Sequence, residues 1–187
     1  MHPIFTWQAY NRENGGSFYW GKDFDEGRVT ISLNRPMVNP SLHHSINSVT
    51  PFIETLVSSR KSFKSFCNLD LHNNPEILDS VDVLIIVGHD EYWSHEMRDS
   101  VLSFVAKGGC IGNFSANVCW WATNVDGAEL YVNKTHQDDT NEFVRGTGQF
   151  KNPWIGTPCQ EIFGLSYQFA GYPVKRNNFE KISEMIS

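Results

Sequence analysis

The hydrophobic pattern is clearest in the middle of the chain. Five consecutive apolar residues at 83–87 form a short unbroken run, which is typical of a strand buried on both faces of a parallel sheet. Ser94 then opens a helical pattern. The apolar positions of that helix fall on one face: Met97, Val101, Phe104 and Val105. Residues 110–114 form a second short strand, so the region predicts a βαβ unit.

The pattern before this unit predicts two further strands and a helix. Aromatic and branched residues at 3–10 indicate a strand that leads into a glycine turn. Residues 28–34 alternate apolar and polar positions, the period of a half-exposed strand. Residues 37–49 suit a loop, and Thr50-Pro51 is a typical helix start, with a capping hydroxyl and proline at the first helical position.

The pattern after the unit predicts a hairpin and then an irregular segment. Asp126-Gly127 separates two apolar segments, 119–123 and 129–133, and this dipeptide is a strong hairpin signal. Phe163 to Phe169 suits a final strand.

Together these elements predict one α/β domain over residues 1–187, with a mostly parallel central sheet and a β-hairpin. We expect its core over 3–133, a loop or insertion over 134–160 and an incomplete C-terminal part over 161–187. Since no helix would cover the sheet before Thr50, we expect the chain to be a fragment of a longer protein.

Composition excludes several classes of protein. The net charge of −6 gives no electrostatic footprint for nucleic acid. No apolar run approaches the roughly 20 residues that span a membrane, and no signal peptide is recognisable. The four cysteines form no C-x-x-C pair, so we expect a reducing, cytoplasmic setting.

Candidate chemistry follows directly after the apolar run. Ligands of open α/β sheets bind outside the carboxyl ends of the strands. Strand alternation would place His89 and Glu91 on one side of the chain, and Asp90 and Tyr92 on the other. A His-x-Glu pair can supply metal donors, or one ligand and one base. The alternative is that His89 and Asp90 cap the next helix, while Tyr92 and Trp93 belong to the core.

Polar residues also follow the second strand of the unit. Ser115 would need a nucleophile elbow to act as a nucleophile, and no G-x-S-x-G pattern surrounds it. Asn117 fits better, as an amide donor aimed at developing negative charge on a substrate oxygen. The histidines of polar loops are expected to be solvated: His43, His44 and His136.

Several motifs stand in one order along the chain. They are Thr6 to Asn11 with Gly15-Gly16, Ser32 to Pro36, Asp70 to His72, Gly88 to Ser94 with Met97-Arg98, and Gly108 to Asn117 followed by Trp120-Trp121. In this order they resemble the catalytic domain of the large subunit of N,N-dimethylformamidase and its relatives. The resemblance runs from about residue 5 to 132 and is weaker around 161–167.

The resemblance implies a glutamine-amidotransferase-like (flavodoxin-like) three-layer α/β sandwich and a mononuclear non-haem ferric iron held by two tyrosines and one carboxylate. Tyr10 corresponds to one tyrosine ligand and Glu91 to the carboxylate, while His89 and Asn117 would line the pocket. Phenolate and carboxylate are hard donors that suit ferric iron, which can polarise an amide carbonyl and lower the pKa of bound water.

Two parts of the family's site have no counterpart by motif. The second tyrosine ligand belongs to a segment upstream of Tyr10, and we do not expect Tyr19, the nearest alternative, to replace it. The additional catalytic glutamate lies further downstream, and neither Glu161 nor Glu180 stands in a motif that would assign it the role.

The sequence therefore predicts an iron-dependent hydrolase of a small, formamide-type amide, in which metal-activated water attacks the carbonyl. The partner would be a small-molecule amide, and the resemblance leaves room for a small partner subunit and a homo-oligomer. The alternative is a non-catalytic relative that serves as a structural or ligand-binding domain. A cysteine hydrolase is not supported, because no cysteine stands in an elbow with a usable histidine.

Overall fold

A computed structural model describes residues 1–12, 16–19, 28–37, 44–134, 146–152, 155 and 158–165. Its helices are α1 (Ile4–Tyr10), α2 (His44–Ser58), α3 (Asn68–Asn73), a 3₁₀ helix (Pro75–Ser80), α4 (His95–Ala106) and α5 (Gln160–Phe163). Its strands are β1 (Arg28–Ser32), β2 (Val83–His89), β3 (Tyr92–Ser94), β4 (Cys110–Ala116), β5 (Trp121–Asp126), β6 (Glu129–Asn133) and β7 (Gly148–Gln149).

The strands form a mixed α/β structure with two sheets. The five-stranded sheet has the order β1-β6-β5-β3, and β7 also pairs with β5. Its pairs are antiparallel except for β3 with β5, which run parallel. The second sheet contains β2 and β4, which are parallel.

The predicted mostly parallel, flavodoxin-like sandwich is therefore wrong. The βαβ unit does form, because β2 and β4 pair in parallel and α4 lies between them in sequence. No further strand in the described chain extends that pair. Instead, β1 pairs antiparallel with β6 of the β5–β6 hairpin. The alternating pattern of β1 suits a sheet with one buried face.

The first predicted strand, residues 3–10, is also wrong, because this segment forms the helix α1. Phe5 and Ala9, one helical turn apart, are completely buried, so the apolar residues serve a helical face. The following helix α2 begins at His44, earlier than expected, and contains Pro51. The predicted last strand, Phe163 to Phe169, is not formed where it is described, because Phe163 ends α5 and Gly164 is its left-handed C-cap; residues 166–169 lie outside the described residues.

One hydrophobic cluster joins the two sheets, α1, α3, the 3₁₀ helix, α4 and α5. Its largest completely buried side chains are Trp93, Tyr92, Phe5, Phe18 and Phe150. Met97, Val101 and Phe104 form the buried face of α4, which confirms the predicted face at these positions. None of the described helices is long and apolar enough to cross a membrane.

The start of α4 lies next to the candidate site and has a side-chain cap. Ser94 is completely buried, and its hydroxyl accepts a hydrogen bond of 3.2 Å from the backbone N–H of Met97. The same hydroxyl lies 2.9 Å from Nδ1 of His72 in α3. The predicted cap is thereby confirmed, and it ties α3 to the helix that follows β3.

We predict that Ser94→Ala lowers the free energy of unfolding by about 1 kcal/mol, because it leaves a buried N–H of α4 without its acceptor. Chemical denaturation followed by circular dichroism measures the change. Ser100→Ala is the matched control, since Ser100 is a half-buried serine of the same helix whose hydroxyl donates to the preceding carbonyl of Glu96. A loss as large in the control would contradict the capping role.

Candidate active site

The candidate site is organised around the carboxylate of Glu91, which is 5% exposed. The Tyr10 hydroxyl donates a hydrogen bond to Oε2 at 2.9 Å. The Tyr19 hydroxyl lies 2.9 Å from both carboxylate oxygens, and the indole N–H of Trp121 donates to Oε1 at 2.9 Å. Three donors from separate parts of the chain therefore converge on one buried acid.

His89 is the remaining neighbour of this carboxylate. Its Nε2 lies 3.1 Å from Oε2 of Glu91, which is an ion-pair distance. That nitrogen is buried, yet it makes no well-aligned hydrogen bond to any residue that the structure describes. His89 is thus placed beside the acid at ion-pair distance, and it is one of the groups that stabilise the charged carboxylate.

The environment keeps Glu91 ionised. Burial alone would raise the pKa of this carboxyl, but His89 and the hydroxyls of Tyr19 and Tyr10 outweigh that effect and lower the pKa below its usual value. The charged form of Glu91 is therefore the one that the surrounding groups stabilise.

Tyr19 is held against the end of α1. The Ser17 hydroxyl and the Phe18 N–H both donate to the carbonyl of Ala9, at 2.6 and 2.9 Å. The Tyr19 ring stacks on that of Tyr10, with ring centroids 4.2 Å apart. Sequence reasoning set Tyr19 aside, whereas the structure places its hydroxyl beside Glu91.

Tyr92 and Lys134 complete the surroundings of Tyr19. The Tyr92 hydroxyl donates to the Tyr19 hydroxyl at 2.8 Å, and burial raises the pKa of both phenols. The Lys134 ammonium lies 3.8 Å from the centroid of the Tyr19 ring and donates to the carbonyl of Phe18 at 3.1 Å. Burial lowers the pKa of Lys134 to about 8, while the charge of Glu91 opposes that shift. Sequence reasoning found no role for Lys134.

Asn117 lies at the edge of this arrangement. It directly follows β4, whose last residue, Ala116, is paired with His89 in the parallel register. Its backbone adopts the left-handed region, at a φ of 53°, which asparagine tolerates better than most residues. No hydrogen bond in the described chain joins Asn117 to Glu91, so its assignment to the pocket stays a prediction.

Other sequence candidates fall outside the site. The Ser115 hydroxyl donates to the neighbouring carbonyl of Ala116 at 3.1 Å. Asp90 points away from Glu91 and accepts a hydrogen bond of 3.1 Å from Asn68. Glu161 is exposed, and its carboxylate lies 4.0 Å from Arg98. Three side chains lie outside the described residues: His43, His136 and Glu180; the side chain of His44 is also not described.

The alternative interpretation of the central motif is correct only in part. Tyr92 and Trp93 are completely buried in the core, as that interpretation requires. The helix cap, however, is Ser94 rather than His89 or Asp90. The motif thus combines core residues with the side chains that surround Glu91.

The donor set suits a hard metal ion. In the described chain, no group of three or more His, Cys, Asp or Glu side chains is placed to hold a metal ion, so a metal beside Glu91 would depend on the tyrosine hydroxyls. Ligand oxygens about 2.0 Å from a small octahedral cation lie about 2.8 Å apart. The hydroxyls of Tyr10 and Tyr19 are hydrogen-bonded to the Glu91 oxygens at 2.9 Å, so these oxygens are already close enough together to share one such cation. The carboxylate and phenol oxygens are donors of the kind that bind a hard cation, and Nε2 of His89 lies beside them.

Arg35 holds the Tyr19 segment against α1. This guanidinium is 7% exposed and donates to the carbonyl of Gly16 and, at 2.5 Å, to the carbonyl of Gln8. Its Nε donates to the carbonyl of Ser32 at 3.1 Å. The planar fork of arginine therefore joins α1, the segment that carries Tyr19, and the end of β1.

We predict that Arg35→Lys lowers the free energy of unfolding by about 1–3 kcal/mol, because one ammonium cannot satisfy carbonyls in three directions. Urea denaturation provides the measurement. Arg60→Lys, which makes the same change at an exposed position, should stay within about 0.5 kcal/mol of the parent. Equal effects of the two substitutions would show that Arg35 does not hold these segments together.

The family comparison agrees with the resemblance seen in the sequence. A family model described as N,N-dimethylformamidase beta subunit-like, C-terminal, matches residues 1–183. A comparison with curated proteins finds no match. Because the family model covers nearly the whole chain, the protein belongs to the N,N-dimethylformamidase beta subunit-like family.

Proposed function

We propose that this chain carries the active-site domain of an iron-dependent hydrolase that cleaves the C–N bond of a small, formamide-type amide. The family supports an amide substrate. The observation that carries the proposal is the convergence of the Tyr10 and Tyr19 hydroxyls on the buried carboxylate of Glu91, each at 2.9 Å. The four cysteines, all within the described chain, form no disulfide, which suits the cytoplasmic setting that we include in the proposal.

In this proposal Tyr10, Tyr19 and Glu91 hold a ferric ion, with Tyr19 as the second tyrosine. Phenolate and carboxylate oxygens are the hard donors that ferric iron prefers. When bound, the ion would supply Lewis acidity toward the amide carbonyl and toward water. Lys134, over the Tyr19 ring, would offset part of the negative charge that three anionic ligands bring into the site.

His89 is the candidate proton carrier. Hydrolysis forms a C–O bond to water and breaks the C–N bond, so one proton must leave the water and one must reach the departing nitrogen. The buried Nε2 of His89 has no aligned hydrogen-bond partner in the described chain and is suited to take the first proton and give it to the amine. Asn117 would donate a hydrogen bond to the tetrahedral oxyanion.

A purely structural domain accounts less well for the same residues. Burying a carboxylate costs several kcal/mol unless it is paired, and a well-packed apolar side chain would usually be at least as stable. Glu91 is paired, but a charge at the junction of β2 and β3 still gives no advantage in stability over an apolar side chain, and a structural role requires none there.

The metal assignment predicts a coloured protein. After equilibration with ferrous iron in air, we expect about one iron per chain and a visible tyrosinate-to-iron charge-transfer band. Tyr10→Phe and Tyr19→Phe should each weaken iron binding about 10- to 100-fold and reduce the band. Metal analysis and absorption spectroscopy give both quantities.

Tyr131→Phe is the matched control, because Tyr131 belongs to β6 and faces away from the buried Leu130 and Val132. It should bind iron like the parent protein. A colourless, iron-free parent would refute the metal assignment, and an unchanged Tyr19→Phe variant would refute Tyr19 as a ligand.

The proton-carrier role predicts a loss of turnover without loss of iron. His89→Gln in the iron-loaded protein should lower kcat for release of dimethylamine from N,N-dimethylformamide about 10²- to 10⁴-fold. His72→Gln, at a histidine bonded to Ser94, should leave kcat unchanged. If His89→Gln retains full turnover, His89 does not carry the proton.

A further inference from the structure

Besides the hydrogen bond from Tyr10 to the Glu91 carboxylate, α1 has a second link to Glu91, which goes to the backbone of that residue. Thr6 is completely buried, and its hydroxyl oxygen accepts the backbone N–H of Glu91 at 2.8 Å. The same oxygen accepts the N–H of Tyr92 at 3.3 Å. A single side chain of α1 therefore holds two successive amides at the junction of β2 and β3.

Thr6 and Tyr10 are four residues apart in α1 and so share one face of that helix. Tyr10 bonds to the carboxylate of Glu91, while Thr6 bonds to the backbone of the same residue. Both contacts come from the same short helix. α1 therefore holds Glu91 at its carboxylate and at its backbone, and this sets the distance between the Tyr10 oxygen and the carboxylate.

The opposite side of this junction is held by other groups. The carbonyl of Glu91 accepts the N–H groups of Trp120 and Trp121, at 3.0 and 2.9 Å. Those bonds attach the junction to the chain that follows β4, but not to α1. Asn68 adds a more distant link, because it accepts the N–H of Phe5 and donates to the side chain of Asp90. Thr6 is thus the side chain that connects the Glu91 backbone directly to the helix of Tyr10.

We propose that Thr6 is a positioning residue that sets Glu91 against Tyr10 for iron binding, an inference that rests on the proposed function. Without the hydroxyl, the buried N–H of Glu91 loses its acceptor, and the junction can shift away from α1. Residues that orient metal ligands in this way are worth about 10- to 100-fold in metal affinity.

The test compares three variants with the parent chain. Thr6→Val keeps the shape and removes the hydroxyl, whereas Thr6→Ser keeps the hydroxyl. Thr123→Val is the matched control, because Thr123 is equally buried and its hydroxyl has no hydrogen-bond partner in the described chain. Iron titration gives the affinity, absorption spectroscopy gives the charge-transfer band, and amide hydrogen exchange of the iron-free protein reports on Glu91 and Tyr92.

We expect Thr6→Val to bind iron about 10- to 100-fold more weakly, with a shifted band and faster exchange at Glu91 and Tyr92. Thr6→Ser should stay within about threefold of the parent, and Thr123→Val should match it. Parental iron affinity and exchange in Thr6→Val would overturn the proposal.

Folding is checked by circular dichroism, and Thr6→Ala serves as a second variant without the hydroxyl. If both such variants unfold while Thr6→Ser folds, Thr6 holds the whole fold rather than Glu91, and the positioning role is rejected. If the parent itself binds no iron, the proposed function fails. Hydrogen exchange at Glu91 still decides whether Thr6 positions the junction.

Discussion

The burial of one ionised carboxylate, that of Glu91, constrains much of this structure. A buried charge is costly unless several groups pair with it. The partners of Glu91 come from α1, from the segment that carries Tyr19, from β5 and from the end of β2. None of these segments can move away without leaving the charge less well compensated. The site and the packing of the domain are therefore parts of the same arrangement.

The antiparallel part of the large sheet contributes to this arrangement through two cations. Arg35 follows β1 and donates to the carbonyl of Gly16, while Lys134 follows β6 and donates to the carbonyl of Phe18. β1 and β6 are antiparallel, with Arg28 paired to Asn133. The C-terminus of β1, before Arg35, and the C-terminus of β6, before Lys134, therefore lie at opposite ends of the strand pair. The short segment that carries Tyr19 is thereby held at both ends, and pairing of β1 with β6 places both cations.

Local patterns in the sequence predicted the local elements well. The apolar run of β2, the face of α4 and the turn at Asp126-Gly127 each contain their own signal within a few residues. The sheet as a whole was predicted wrongly, because the direction of pairing depends on which distant strand lies beside the hairpin in the folded chain. Residues 3–10 were predicted wrongly for a related reason, since their aromatic residues suit a strand by propensity, whereas the segment packs as a helix that buries Phe5 and Ala9.

The site shows the same division between local and distant signals. His89 and Glu91 were found because they follow a recognisable strand, and the structure places Tyr10 beside Glu91. No local pattern around Trp121 or Tyr19 predicts that their side chains contact a carboxylate far away in the sequence. Their positions follow from the pairing of β3 with β5 and from the contacts of Ser17 and Phe18 with α1. Only the assembled fold contains that information.

The location of the site follows from an interruption that two neighbouring strands share. The chain of β2 and β3 runs beside that of β4 and β5, with His89 paired to Ala116 and Tyr92 paired to Trp121. Between these pairs lie Asp90 and Glu91 on one side and residues 117–120 on the other.

The longer side of this interruption must fold back, and it does so through the left-handed backbones of Asn117 and Cys119. Irregularities of this kind redirect side chains and are common beside active sites. Here the interruption turns Glu91 toward Tyr10 and Tyr19. The candidate site thus lies at the carboxyl end of β2, where ligands of α/β sheets usually bind, but here the strand pair resumes beyond it as β3 and β5.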